Sequence, residues 1–449
     1  MKKTIIQVIV IIILLGVLGG LLWYALKSDN NISNSNSNQS QGPSQSQMPG
    51  GPGGMGGAPG KSSNSGSVES TGKTEISDTQ TITNKNYESS EGSQNALLVK
   101  TGGNVTLTNS SITKTGDSSD ENADFYGTNA GILVNSDGKL NISDSTITTN
   151  GSHANGLFVY GKGEATVKNT IINTSSNMSG GIMVAGGGTL TAENLKVTTD
   201  GNSSAAIRSD RGGGTMTVTG GYYKTNGVGS PAIYSTADIT VKNANLTATK
   251  SEGAVVEGKN SITLSNCILT DTNTTLNGNS ETYKNIFLYQ SMSGDADTGT
   301  AKFTAENSTI TTNKGDTIFV TNTTAEVNLT NNKIVNNDGD FLRIQAGKWG
   351  NSGSNGGDVT LNMKKQEVSG NIIVDNISTL TMNLTEGSNY TGTINSANTA
   401  KSIVLKLDSS SKITLTGDSY VTSLEDSDSS YSNINFNGYK LYVNGTAIN

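Results

Sequence analysis

The sequence of 449 residues holds one cysteine, one histidine and five prolines. A lone Cys267 excludes an internal disulfide framework and any cysteine-based zinc site, and a lone His153 excludes a histidine-pair metal site. Aromatic residues make up 5% and hydrophobic residues 32% of the chain, low values for a globular core. Basic residues are also scarce: 30 Lys and Arg stand against 37 Asp and Glu, a net charge of −7. No basic run follows the first three residues, so the clustered cations that grip nucleic acid are missing and no nucleic-acid partner is expected.

What is there begins with an apolar run, Ile5 to Leu26, broken only by Gln7 and glycines. It is long enough to cross about 30 Å of hydrocarbon as a helix and longer than the apolar region of a cleavable signal peptide. Lys2 and Lys3 hold the N-terminus in the cytoplasm, and Trp23 and Tyr24 sit where an interfacial anchor belongs. Residues 1–27 therefore read as a signal anchor, a single-pass transmembrane helix that contacts the cell membrane through residues 5–26 and places the rest outside or in the cell wall. A cleaved signal would export the same body. Residues 28–73, rich in Asn, Ser and Gln and then in Gly, Pro and Met, bury nothing and read as a disordered linker.

From about Thr74 one pattern repeats. In Ala130–Gly151, AGILVNSDGKLNISDSTITTNG, three short alternating runs are separated by Asn, Ser, Asp and Gly turns. Three strands in so few residues fit one coil of a parallel solenoid, whereas hairpins would need two-residue loops between longer strands. First strands recur as Leu97-Leu98-Val99, Ile132-Leu133-Val134, Leu157-Phe158-Val159 and onward to Ile372-Ile373-Val374. Second and third strands follow as VTLTNSSIT, LNISDSTIT, ATVKNTIIN and their variants. A polar residue returns at the bend inside those segments: Asn109, Asp144, Asn169, Asn194, Asn243, Asn266, Asn307 and Asn331. Asn tolerates left-handed backbone geometry and its amide both donates and accepts, so the stack predicts a hydrogen-bonded ladder, broken where Gly220 stands instead.

These repeats resemble the right-handed parallel β-helix of the pectin-lyase-like superfamily, whose second turn commonly carries an Asn ladder. The fold expected is all-β: a single-stranded right-handed parallel β-helix of about twelve coils over residues 74–395, closed by terminal coils and a cap over 396–449. The stretches GDSYVTSL and NGYKLYVNG in that end resemble terminal coils of β-helical surface proteins of Gram-positive bacteria. Two excursions, Asp271–Lys284 with Ser291–Thr300 and Gly347–Gly357, are expected to loop out, the second exposing Trp349.

Alternation turns the outer residues of each first-strand triplet inward and aims its middle residue, and the residue that follows the triplet, outward. Those columns gather Phe158, Tyr160, Arg208, Tyr234, Glu257, Phe287, Tyr289, Phe319 and Arg343, the candidate ligand-binding residues. Rings and guanidinium groups on a flat sheet suit a sugar, which stacks its C–H face and bonds through its hydroxyls. The resemblance points to the same face, since the saccharide groove of those families runs along it. The alternative is that the long turns or the linker cover the stripe, or that it reflects only the β-propensity of Phe and Tyr.

No catalytic residue is assigned: Asp210, Glu257 and Asp375 read as isolated, whereas a glycosidase needs two carboxylates at fixed separation. The calcium cluster of the related lyases is approached only by Arg208, Asp210 and Arg211. No metal site or cofactor is expected, with Ca2+ the one candidate ion at Asp117–Asp124, Asp295–Asp297 and Glu425–Asp428. Thr-x-Thr pairs such as Thr189-Leu-Thr191 read as strand propensity without sustained register. Together these readings describe an adhesin-like surface protein that binds a polysaccharide or surface partner along the solenoid. The rival readings are a polysaccharide lyase or hydrolase and a structural envelope spacer; the oligomeric state is left open.

Overall fold

The computed structural model describes residues 68–276, 280 and 282–449. The apolar segment 5–26 and the linker up to residue 67 lie outside the described residues; among those described, no helix is long and apolar enough to cross a membrane.

Each coil folds as its alternation dictates. In the coil that holds Ile132–Val134, Lys139–Ser143 and Thr146–Thr149, the inward Ile132, Val134, Leu140, Ile142 and Ile147 are buried, and Asn141, Ser143, Asp144 and Thr146 between them face out. The next coil repeats it in register, with Leu157 on Ile132, Ala165 on Leu140 and Ile172 on Ile147. Inward aliphatics thus stack into one continuous core, at about 1.5–3 kcal/mol for each fully buried side chain. A single coil orders too many residues to stand on that gain, so stability comes from stacking neighbours.

The result is a right-handed parallel β-solenoid of about 15 turns. Its three faces are a first sheet of 12 strands from Gly72–Ile76 to Ile372–Val374, a second of 14 from Thr79–Thr83 to Ser423–Asp426, and a third of 10 from Asn86–Ser89 to Lys333–Asn336. The twelve coils expected match the first sheet, but coils continue past Asn395 on the second face and on a 4-stranded sheet that takes over from the third. At the C-terminal end Leu441–Val443 pairs in parallel with Ser419–Val421 and antiparallel with Thr446–Ala447. That reversal occupies the edge of the last strand, so the cap is built by chain direction as well as by charge.

The recurring turn residues behave as their chemistry predicts. Asn109, Asp144, Asn169, Asn194, Asn243, Asn266, Asn307 and Asn331 all hold left-handed φ values, between 46° and 55°. Their side chains are exposed, however, and bond along the stack at only two steps, Asn169 to Asp144 (3.2 Å) and Asn331 to Asn307 (2.7 Å). The buried ladder lies one residue later. Ser110 N–H donates to Ser145 Oγ, Cys267 N–H to Ser308 Oγ, Ser308 N–H to Asn332 Oδ1, Asn332 N–H to Gln366 Oε1 and Gln366 N–H to Ser388 Oγ, at 2.8–3.1 Å. Nor does the stack break at Gly220, which takes φ 68° and donates its N–H to Lys242 O at 2.8 Å. The backbone carries that turn, and the side chain is dispensable to it.

Candidate functional site

All nine candidate ligand residues lie on the outer face of the first sheet, in register from coil to coil. The expected exposed stripe is nevertheless corrected by burial: Phe158, Arg208, Tyr234, Glu257, Phe287, Tyr289 and Phe319 are each at most 5% exposed. Only Tyr160 and Arg343 are half-buried. The cause is turn length. Where the turns around the first strands are long they fold back over this face, and three such roofs divide it.

The first roof is the turn that holds the helix Asn122–Tyr126. Phe125 is buried, Tyr126 meets the Tyr160 ring edge-on at 5.3 Å, and Leu98, Leu133, Phe158 and Met183 form a small core beneath. The same turn brings Asp124, whose carboxylate bonds His153 Nδ1 at 2.8 Å and stands 3.9 Å from Arg208. Arg208 pairs with Asp210 at 2.9 Å, both of them buried. Next to them Arg211 lies over the Phe125 ring at 3.6 Å and reaches Asp295 at 2.5 Å. Burial pushes the Asp210 carboxyl up to about 7 against the pull of Arg208, with Asp295 and Asp124 adding repulsion. The acids that seemed missing around Arg208 therefore arrive from turns far away in sequence, but as partners of the arginines.

The second roof is Ser291–Asp295. It does not loop out: Ser291 and Asp295 are buried. Glu257 accepts hydrogen bonds from the hydroxyls of Ser291, Tyr234 and Tyr289, the last at 2.9 Å. Burial raises its carboxyl, and the three hydroxyls draw it back only in part. Tyr289 stacks on Phe287 at 4.5 Å, and Phe287 meets the tilted ring of Phe319 at 5.7 Å.

The third roof is the turn after Ile344. Trp349, expected in solvent, is half-buried with its ring 5.7 Å from Tyr289. Lys284 is buried against Glu252 at 3.2 Å and faces the Phe287 ring at 4.5 Å. Beside it Lys284, Phe287, Phe319, Gln345 and Trp349 line a cavity of about 30 Å³, room for a single water. Arg343 is held by Asp316 at 2.7 Å and Asp340 at 2.6 Å.

Chemically, this face presents fixed ion pairs and an acid caged by hydroxyls. Asp375, the remaining acid considered, accepts the Ala346 N–H at 2.8 Å. Among the described residues no group of three or more His, Cys, Asp or Glu is placed to hold a metal ion. Of the acidic turns, Asp117 accepts the Ser152 N–H at 2.7 Å and Asp428 accepts the hydroxyls of Ser430 and Ser432. Cys267 is buried, and burial raises its thiol.

Among the described residues, the outward side chains of the second and third sheets are half-buried or exposed. The second sheet sets Thr81, Thr106, Asn141, Thr166, Thr191, Thr217, Thr240, Thr263 and Thr304 in one unbroken register, which corrects the reading of scattered Thr-x-Thr pairs. Asn328, Asn362 and Asn383 continue the column, bonded along it at 2.8 and 2.7 Å. Charges flank it, with Lys139 on Glu164 and Lys168 on Glu193. No known protein family, curated protein or solved structure matches this chain.

Proposed function

We propose that the chain is a membrane-tethered, extracytoplasmic surface protein, a pectin-lyase-like solenoid displayed on a Gram-positive bacterium. In this reading it acts as an adhesin-like module that binds a polysaccharide or another surface partner along its length. The observation that carries the reading is the contrast between faces. The carboxylates and cations suited to chemistry are engaged with one another beneath the turns of the first sheet, and the second and third faces offer hydroxyls, amides and amines to solvent coil after coil. A surface repeated along the body suits a repeating polymer, whereas turnover needs one open cleft.

The test is co-sedimentation of the full chain in mild detergent with insoluble polysaccharides and bacterial wall preparations, with the supernatant assayed for released sugar. Retention without release is expected. Released product would establish a polysaccharide-active enzyme in its place, and no retention on any material would leave the structural spacer.

A further inference from the structure

The third sheet carries a feature that its alternation alone does not explain. Its outward first column runs Thr146, Ile171, Lys196, Tyr222, Asn245, Ile268 and Thr309 in continuous register. Three large apolar side chains in it stand in solvent: Ile171 at 41%, Tyr222 at 65% and Ile268 at 48% exposure. They are not scattered. Each isoleucine lies two strands from Tyr222, about 9.6 Å at the usual strand spacing, and the strip from Ile171 to Ile268 is about 19 Å long. The polar residues between are Lys196 and Asn245, and the neighbouring column supplies Asn173, Thr198, Lys224, Thr247 and Thr270.

Charge sets this strip apart within an acidic protein. On the second sheet several exposed lysines are matched across coils by glutamates, Lys139 by Glu164, Lys168 by Glu193 and Lys406 by Glu425. On the third sheet the outward positions carry Lys196, Lys224 and Lys333, and the carboxylate among them, Glu88, lies on the first strand. Lys196 adjoins Tyr222 from the preceding coil, and Lys224 adjoins it from the same strand. The turn before Tyr222 is also the one in which Gly220-Gly221 replaces the usual Asn; a Cβ on Gly221 would stand 2.3 Å from Leu195 O, so the chain there runs close to its neighbour.

We infer that this strip, centred on Tyr222, is a binding site for an extended anionic polysaccharide. The Tyr222 ring stacks on the C–H face of a sugar, Lys196 and Lys224 pair with its acidic groups, and Asn245 with the threonine column bonds its hydroxyls. Ile171 and Ile268 support rings farther along the same chain. The regular strand repeat keeps these contacts in step with a regular polymer. The inference deepens the adhesin reading and rests on it.

The experiment measures retention of the full chain on immobilised polygalacturonate and hyaluronate, with cellulose as the neutral control and bacterial wall preparations in parallel. Retention on the anionic polymers is expected to exceed that on cellulose and to weaken with salt. Tyr222→Ala is expected to weaken it about tenfold, and Lys196→Gln or Lys224→Gln each several-fold. Lys162→Gln, in the exposed turn between a first and a second strand, should leave it unchanged. All four are surface changes, and an unaltered urea midpoint confirms that each variant is folded. Equal retention of the three strip variants would overturn the site, as would binding to cellulose as strong as to the acidic polymers. Retention on wall preparations but on neither acidic polymer would overturn the ligand class and leave the adhesin reading standing. No retention on anything would overturn both. Tyr222-dependent self-association in place of glycan binding would make the strip a contact between copies and also overturn the proposal.

Discussion

The outer face of the first sheet and the outer face of the third are built from the same alternation, yet Phe158 on one is fully buried and Tyr222 on the other is 65% exposed. Period two decides only which side of a strand a residue takes. Whether that side meets water is decided by the turns. The first strands are flanked by the turns that hold Phe125, Ser291 and Trp349, which return over their own sheet; the turn between second and third strands is two residues long and covers nothing. A short turn with a left-handed Asn leaves its faces open, and a long turn carrying an aromatic or an acid closes one.

The largest effects are expected where the roof is cut. Arg208→Ala strands Asp210 and Asp124 in a buried site and should cost about 3–5 kcal/mol in urea unfolding. Tyr289→Ala removes a buried ring and a donor to Glu257 and should cost about 3–5 kcal/mol, against at most about 0.5 for Tyr222→Ala. Similar costs for those two tyrosines would erase the difference between the faces.

Next comes a pH effect at Asp271, buried with Oδ1 accepting the Asn273 N–H and Oδ2 without a partner among the described residues. Burial raises its carboxyl from 3.8 to about 7. Between those values the folded chain keeps a proton that the unfolded chain has lost, so stability falls as pH rises through the window. Asp271→Asn should therefore stabilise the protein at pH 8 by about 4 kcal/mol and leave it unchanged at pH 3. A gain of equal size at both values would show that the charge is not the cause.

Smaller effects belong to the open side. Asn243→Ala forces a Cβ residue other than Asn into φ 55° and should cost about 1 kcal/mol, with Asn243→Gly near neutral. Equal costs for the two would place the stability in the amide and not in the backbone angle.

Much of the fold was legible because each coil restates the same constraint. The eight turn residues could be placed in the left-handed region from their type and spacing, and the inward aliphatics from alternation. Coils beyond Asn331 were harder, since Lys365 and Glu386 hold the same left-handed turn at 48° and 54° without an asparagine to mark it. The buried ladder was missed because Ser110, Ser308, Asn332 and Gln366 share a position but not a residue type; a column of small or amide side chains just after each Asn was the available signal.

The candidate residues were legible as a column and not as a surface. Nothing local in IRSDRGGG points to Asp295, which meets Arg211 across 84 residues. Phe125 and Ser291 likewise declare themselves only by sitting in turns longer than the repeat allows. The open strip around Tyr222 was hidden in the same way, since its apolar members sit in separate coils and become neighbours only through register.

The most direct measurement is the rate of tyrosine modification along the native chain, by hydroxyl-radical footprinting read at single residues. Tyr222 is expected to react quickly, and Tyr234 and Tyr289 to stay protected until urea unfolds the body. Reaction of Tyr234 and Tyr289 at the rate of Tyr222 would mean that the first sheet is open, and would return the binding face to the column where Phe158, Tyr234 and Phe287 stand.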